Sequence, residues 1–232
     1  MNKNIKELEE TIGYSFKNKE LLMTALTHSS YAYEHQREGV DFYERTEFLG
    51  DAILELVSSE FLFFEYPQLP EGKLTRLRAS LVCEPTLALC AKSFSLNDYI
   101  RLGKGEDKNG GRYRDSIISD VLEAVIGAIF LDGGLDKAET FIKKYILNDI
   151  EHKQLFTDSK TILQEMSQEL YGEVPEYELI SETGPDHDKT FEYKVSINGN
   201  QISTGSGKSK KSAEQMAAYY ALIEVKKKNN WG

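Results

Sequence analysis

The chain has 232 residues, of which 40% are hydrophobic and 28% charged, with a net charge of −10. This composition excludes a disordered or fibrous protein. The longest uncharged apolar run, residues 124–131, is far shorter than the roughly 20 residues that cross a bilayer, so we expect no membrane partner. The first residues carry acids without an apolar stretch, which predicts no signal peptide. Cys83 and Cys90 are too few for a disulfide framework, so we expect a cytoplasmic location.

The net charge does not identify a partner. Residues 1–157 carry a net charge of −7 and residues 158–232 carry −3, so neither part is basic. A polyanion is attracted to positive surface potential. Any contact with nucleic acid must therefore come from a local basic patch.

Residues 1–150 show helical periodicity almost throughout. The main predicted helices cover residues 44–62, 72–82 and 117–131. Gly133 and Gly134 are expected to end the last of them, and the glycine-rich segment 103–111 is expected to be a loop. This pattern predicts an all-α domain.

The pattern changes in the last third of the chain. Apolar periodicity is lost in residues 151–157, where we place a linker. In residues 158–228 the pattern is mixed, and residues 191–197 alternate apolar and polar side chains, as in a half-buried strand. Asn198 and Gly199 then predict a hairpin turn. With a helix at each end, the order is α-β-β-β-α, a small α+β domain.

Acidic side chains form a column on the predicted helix at 44–62. Glu47, Asp51 and Glu55 lie four residues apart, with no lysine or arginine at the intervening steps. Like charges at this spacing each destabilise a helix by about 0.2–0.5 kcal/mol. An arriving cation explains such a column better than a solvated face does.

Asp120 and Glu123 form a second acidic pair, one turn apart on the strongly apolar helix at 117–131. They share a face with Ala124 and Gly127, whose small side chains let a helix or an ion approach closely. Lone acids on a buried helix are rare unless they are paired or bind a metal. Oxygen ligands without nearby Cys or His select Mg²⁺ or Mn²⁺ over zinc. Alternatively, these acids are helix caps, solvated groups or core salt bridges. That interpretation is adequate for each acid alone, but it does not explain why the acids form two clusters.

Residues 1–150 resemble the ribonuclease III family nearly end to end. The family signature is matched by ERTEFLGDAILEL at 44–56, and its second acidic segment by DSIISDVLEAVIGAIFLDGG at 115–134. Two further segments match in type and order, LTHSSY at 26–31 and EGKLTRLRASLV at 71–82. The resemblance implies that the all-α domain is a ribonuclease III catalytic and dimerisation domain.

The resemblance also implies roles for the acidic side chains. The implied Mg²⁺ ligands, with Mn²⁺ as a substitute ion, are Glu47, Asp51, Asp120 and Glu123. Asp51 and Glu123 are the implied catalytic residues, and Glu44 and Glu71 match outer acidic positions of the family. Bound Mg²⁺ activates water near neutral pH and stabilises a leaving oxygen, most fully as a pair of ions about 4 Å apart.

The last part of the chain resembles a double-stranded-RNA-binding domain, both in element order and in the run KKSAEQMAA at 210–218. Lysines at the start of its last helix, together with free backbone N–H groups, predict a phosphate site at Lys208, Lys210 and Lys211. A P-loop is excluded because its motif needs glycine where Ile202 stands. The resemblance adds RNA contacts at Thr161, Gln164, Glu165, Gln168 and His187. A solvated helix face and a turn residue are the alternatives for these.

Together, these resemblances imply a Mg²⁺-dependent endoribonuclease that cuts double-stranded RNA as a homodimer. The expected products are staggered ends with 5′-phosphate and 3′-hydroxyl groups, in ribosomal and messenger RNA processing. A non-catalytic double-stranded-RNA-binding protein is the main alternative, and the presence of all four carboxylates argues against it. A metal-dependent phosphohydrolase of small nucleotides would have no use for the RNA-binding domain.

Overall fold

The chain forms two units, which meet in sequence between Ile150 and Glu151, and each unit has its own apolar core. The computed structural model describes residues 4–184, 189–207 and 209–229. Within these ranges, no helix is both long enough and apolar enough to cross a membrane.

Helices build the first unit, as the periodicity predicted. They are α1 Ile5–Ile12, α2 Lys19–Ala25, α3 Ser29–Glu34, α4 Glu44–Glu65, α5 Glu71–Val82, α6 Glu84–Ser93, α7 Lys104–Lys108, α8 Asp115–Gly133 and α9 Leu135–Tyr145. Short 3-10 turns lie at Gln36–Glu38, Leu96–Tyr99 and Gly111–Tyr113. Gly134, with φ of 85°, ends α8 as expected. The predicted all-α fold is therefore confirmed.

The glycine-rich segment 103–111 is not the loop that its composition predicted. It contains the helix α7, and the residues after it are tied down by Arg112. The guanidinium of Arg112 donates to both carboxylate oxygens of Asp107, each over 3.0 Å, and to the carbonyls of Asn97 and Ile100. A bidentate ion pair of this kind fixes a short helical turn that glycine content alone would not favour.

Helix α8 forms the centre of the first core, and α4 crosses it in direct backbone contact. A Cβ atom added to Gly50 of α4 would lie 1.8 Å from the Glu123 carbonyl oxygen of α8. A Cβ atom added to Gly127 of α8 would lie 2.2 Å from the Thr46 carbonyl oxygen of α4. Because neither position has room for a side chain, the two acidic segments are held at backbone distance.

The second unit is a three-stranded antiparallel sheet with helices from both ends of the sequence packed against it. Its elements are α10 Ile150–Thr157, α11 Ser159–Tyr171, β1 Glu176–Thr183, β2 Thr190–Ile197, β3 Asn200–Gly207 and α12 Lys210–Asn229. The strand order is β1-β2-β3. Asn198 and Gly199 make the β2–β3 turn with φ of 53° and 70°, the positive values that a tight hairpin needs. The predicted α+β order is confirmed, with α10 as an additional helix.

The residues placed in the linker, 151–157, are helical rather than irregular. Gln215 of α12 donates from Nε2 to the carbonyls of Phe156 and Thr157, over 2.7 and 2.6 Å. These bonds satisfy carbonyls that a helix end leaves without partners. Leu155 packs against the second core. The segment is stabilised by residues about 60 positions away, which local periodicity does not reveal.

Candidate functional site

Three carboxylates meet where α4 crosses α8. Glu47 of α4 and Asp120 and Glu123 of α8 each offer an oxygen, and these oxygens lie within 4.8 Å of one another. All three side chains are half-buried. Clustered oxygen donors at this spacing fit a hard divalent cation such as Mg²⁺ or Mn²⁺.

Asp51, the fourth predicted ligand, lies at the edge of this group. It is one helical turn beyond Glu47 and exposed, and its carboxylate is outside the cluster of three. Its negative charge nonetheless helps to raise the pKa of Glu123 and of Glu47. Asp51 therefore faces the same region from its solvent side.

The acidic site is held against electrostatic repulsion. Burial raises the pKa of Glu123 to about 8, and the charges of Asp51, Glu47 and Asp120 add to the effect. Burial likewise raises the pKa of Glu47 to about 7, with further contributions from Asp120, Glu44 and Asp51. Burial also raises the pKa of Asp120. A divalent cation would relieve both the desolvation and the repulsion.

The outer acidic residues have different surroundings. Glu44 starts α4, and its charge contributes to the raised pKa of Glu47. Glu71 starts α5, is exposed, and accepts a hydrogen bond from the Thr75 hydroxyl over 2.8 Å. It is not part of the cluster of three carboxylates.

Glu55 is not the unpaired end of the acidic column that the sequence predicted. The Arg78 Nε atom of α5 lies 2.8 Å from Glu55 Oε2. The cation comes from another helix, so the spacing along α4 could not show it. Among the residues that the structure describes, Glu47 and Asp51 form no such ion pair, and Glu47 is the member of the column that meets Asp120 and Glu123.

Two residues beside Asp120 belong to the frame of the site. His28 accepts a hydrogen bond at Nδ1 from the Ser30 backbone over 3.1 Å and so caps α3. Burial lowers the pKa of His28, which favours the neutral ring that this acceptor role requires. Tyr43 donates from its hydroxyl to Asp120 Oδ2 over 3.4 Å. The sequence pattern did not predict a role for Tyr43, and the only signal for it is its position directly before the signature segment at 44–56.

The predicted RNA-contact residues of the second unit lie on its surface. The four polar side chains of α11 share one exposed face, and they are Thr161, Gln164, Glu165 and Gln168. Lys210 and Lys211 are exposed at the start of α12, and among the described residues neither forms an ion pair. The Lys210 Nζ atom lies 5.9 Å from the centre of the Phe191 ring. His187 and Lys208 lie outside the described residues.

Comparisons with known proteins agree with this architecture. Residues 18–150 match the family model described as Ribonuclease-III-like, and residues 159–225 match the double-stranded RNA binding motif. Ribonuclease 3 of Listeria monocytogenes is 48% identical over 221 residues, which cover 94% of this chain and 96% of the relative. Ribonuclease 3 of Natranaerobius thermophilus is 48% identical over 227 residues, covering 97% and 98%.

A solved structure supports the same assignment for the first unit. The nuclease domain of ribonuclease III from Campylobacter jejuni is 45% identical with a TM-score of 0.58, over 62% of this chain and 96% of that one. A helical nuclease domain followed by a double-stranded-RNA-binding domain defines a class of endoribonucleases. This chain belongs to the ribonuclease III family.

Proposed function

We propose that this enzyme hydrolyses phosphodiester bonds of double-stranded RNA with Mg²⁺ held by Glu47, Asp120 and Glu123, and with Asp51 completing the ligand set. Mn²⁺ is the expected substitute ion. The observation that carries the proposal is the half-buried group of three carboxylate oxygens within 4.8 Å of one another. When bound, the ion supplies an activated water and stabilisation of the leaving oxygen.

The protein contributes carboxyl groups whose pKa values are raised and which can coordinate a cation once they lose their protons. Burial keeps the pKa of Glu123 at about 8, so this carboxyl group holds a proton near pH 7 when no ion is bound. Because Gly50 has no side chain, α4 lies directly against the Glu123 carbonyl, which brings the acidic faces of the two helices together. We assign catalytic roles to Asp51 and Glu123, the acids nearest and farthest from solvent in this group. Glu44 and Glu71 are assigned to the outer part of the same acidic valley.

We assign RNA binding to the second unit. Its exposed α11 face and Lys210 and Lys211 would contact 2′-hydroxyl groups and phosphates, which distinguish an RNA duplex by shape. Lys208 and His187 are assigned to the same surface on the basis of the family resemblance. Because such contacts do not read base edges, binding should depend little on sequence.

A homodimer is proposed for the first unit. Phe48, Leu56 and Phe63 of α4 are 80%, 56% and 64% exposed, and at 100° per residue they share a face about 80° wide. Three large exposed apolar side chains on one helix face support an interaction site there. The solved Campylobacter jejuni structure is described as having a region involved in dimer formation. Two active sites in one dimer would cut opposite strands and leave staggered ends with 5′-phosphate and 3′-hydroxyl groups.

The proposed cellular role is processing of ribosomal, messenger and transfer RNA in the cytoplasm. Two cysteines, Cys83 and Cys90, are too few for a disulfide framework, which is compatible with a reducing compartment. Transcript mapping after depletion of the enzyme would identify the RNAs that it cuts.

The biochemical proposal is tested with a labelled RNA duplex, incubated with Mg²⁺ or with EDTA. We expect cleavage only with Mg²⁺, products that a 5′-phosphate-dependent exonuclease degrades, and a dimer in analytical ultracentrifugation. Duplex binding without cleavage at any Mg²⁺ concentration would favour the non-catalytic alternative instead.

A further inference from the structure

Helix α8 carries two aspartates that each accept a hydrogen bond from a tyrosine. The Tyr43 hydroxyl donates to Asp120 Oδ2 over 3.4 Å, and the Tyr14 hydroxyl donates to Asp132 Oδ2 over 2.7 Å. Asp120 belongs to the cluster of three carboxylates, whereas Asp132 lies near the other end of α8. The same chemical contact therefore occurs once at the proposed ion site and once away from it.

The Asp132 pair has a structural explanation. Asp132 also accepts hydrogen bonds from the backbone N–H groups of Lys17 and Asn18, each over 2.8 Å. With Tyr14, these bonds fasten the start of α2 to the end of α8. Nothing in this arrangement involves the site, so Tyr14 provides an internal control.

Tyr43 is fixed independently of the acids that it faces. It is 4% exposed, and its backbone N–H donates to the Thr27 carbonyl over 3.0 Å. Thr27 in turn forms a parallel bridge with Arg101. The Tyr43 ring also lies 5.7 Å from the His28 ring, measured between centroids. The position of the hydroxyl is therefore set by the surrounding main chain and core.

The hydroxyl is suited to orient a carboxylate without displacing an ion. The Tyr43 hydroxyl carries one proton that it can donate, and Asp120 Oδ2 lies 3.4 Å from it. A carboxylate has two oxygens with about four acceptor sites, so one hydroxyl leaves room for a cation. Asp120 has a second hydrogen-bond partner in Ser119, its neighbour on α8, whereas Tyr43 contacts the carboxylate from outside that helix.

We propose that Tyr43 is a positioning residue that holds the Asp120 carboxylate toward the divalent ion. This inference rests on the proposed function, because it requires that the three carboxylates bind the ion. Partners behind a metal ligand are typically worth about 10–100-fold in metal affinity or activity. The 3.4 Å contact is longer than the usual range of about 2.5–3.0 Å for a hydroxyl donating to oxygen, so the expected effect is the lower value, about tenfold.

The test compares Tyr43→Phe with Tyr14→Phe in the full-length enzyme. The dissociation constant for Mn²⁺ is measured by titration calorimetry, and the Mg²⁺ dependence of single-turnover cleavage is measured on one duplex. We expect Tyr43→Phe to weaken Mn²⁺ binding about tenfold, and its cleavage rate to recover at high Mg²⁺. Tyr14→Phe should lower the melting temperature and leave the Mn²⁺ affinity unchanged.

A double-mutant cycle shows whether Tyr43 acts through Asp120. In the Asp120→Asn enzyme, adding Tyr43→Phe should change the Mn²⁺ affinity little, because the orienting bond no longer serves a carboxylate. A further tenfold loss there, or an unchanged affinity in Tyr43→Phe alone, would overturn the role of Tyr43. Failure of the unmodified enzyme to bind Mn²⁺ saturably would overturn the proposed function as well, so the two failures are distinguishable.

Discussion

The two units of this enzyme differ in how charged side chains are arranged at their proposed binding sites. In the first unit, Glu47, Asp120 and Glu123 bring like charges together in a half-buried site. In the second unit, opposite charges pair at the surface, as in the Lys194–Glu178 contact of 2.9 Å between β2 and β1. Exposed pairs of this kind contribute only about 0–1 kcal/mol each. Like charges are brought together where a cation is expected to bind, and where phosphate contacts are expected, Lys210 and Lys211 form no ion pair among the described residues.

Both units have glycine where two elements approach at backbone distance. In the first unit, Gly50 and Gly127 bring α4 and α8 into backbone contact. In the second, a Cβ atom added to Gly205 of β3 would lie 2.1 Å from the Ala217 backbone nitrogen of α12. The contacts are similar, but only the first holds mutually repelling carboxylates in place.

The largest expected effect comes from removing one charge of the acidic cluster. Glu123→Gln keeps the size of the side chain and one acceptor oxygen, but it removes a ligand charge. We expect cleavage to fall by about 100-fold or more, while duplex binding by the second unit is unchanged. Single-turnover cleavage and gel-shift binding on the same duplex, across a Mg²⁺ series, measure both.

Glu139→Gln is the matched control for that experiment, because Glu139 is a glutamate of α9 whose ion pair is with Lys143 of the same helix. It should leave cleavage unchanged. Near-normal cleavage by Glu123→Gln at low Mg²⁺ would show that Glu123 is not a ligand.

The helix crossing can be disturbed without changing any acid. Gly127→Ala places a methyl group against the Thr46 carbonyl, so we expect a loss of about 1–3 kcal/mol in the free energy of unfolding. Cleavage should also need a higher Mg²⁺ concentration to reach half of its maximal rate. Urea unfolding measures the first effect. Gly72→Ala is the control, since a Cβ atom there has nothing within 4 Å and helix α5 favours alanine. Equal stability of both variants would show that α4 and α8 separate readily.

Lys210 and Lys211 of α12 test whether the second unit binds RNA through phosphate contacts. Replacing Lys210 and Lys211 with alanine should weaken duplex binding to a similar degree for all sequences. The slope of log affinity against log salt should fall by about 0.7–0.9 for each phosphate that is no longer neutralised. Filter binding over a salt series measures this slope, with Lys226→Ala near the other end of α12 as the control. An unchanged slope would remove both lysines from the interface.

The smallest expected effect is on the pH dependence of stability without metal. Glu123 has a pKa of about 8 in the folded chain against an ordinary value of 4.5, so the unfolded chain loses its proton first as pH rises. The contribution of this group to stability is present below about pH 4.5 and is lost as pH rises toward 8. Melting temperatures in EDTA should therefore fall more over this range for the unmodified protein than for Glu123→Gln. If melting temperature changed with pH in the same way for both proteins, ionisation of Glu123 would not lower the stability of the fold.

Part of the acidic cluster of the first unit is visible in the sequence because its pattern is local, whereas the ligand roles of these acids stay a prediction. Asp120 and Glu123 stand one turn apart in a helix that is otherwise apolar, and the structure brings them to Glu47. The pairing of Glu55 with Arg78 and the contact of Tyr43 with Asp120 could not be predicted, since each joins separate helices. Helix α10 was missed for the same reason, because Gln215 caps it from the far end of the second unit. Local periodicity identifies elements and faces, whereas partners across the core depend on the fold.

Proton release on metal binding is the most direct test of the claim that the repelling carboxylates form the ion site. Mg²⁺ is titrated into the metal-free enzyme near pH 7 in two buffers of different ionisation enthalpy. Because the pKa is about 8 for Glu123 and about 7 for Glu47, we expect saturable binding near pH 7 with release of between about one and two protons, and little release near pH 9. Glu123→Gln should lose most of this release and keep the part that comes from Glu47. Binding without proton release, or identical heats from Glu123→Gln, would contradict the assignment of the metal to this site.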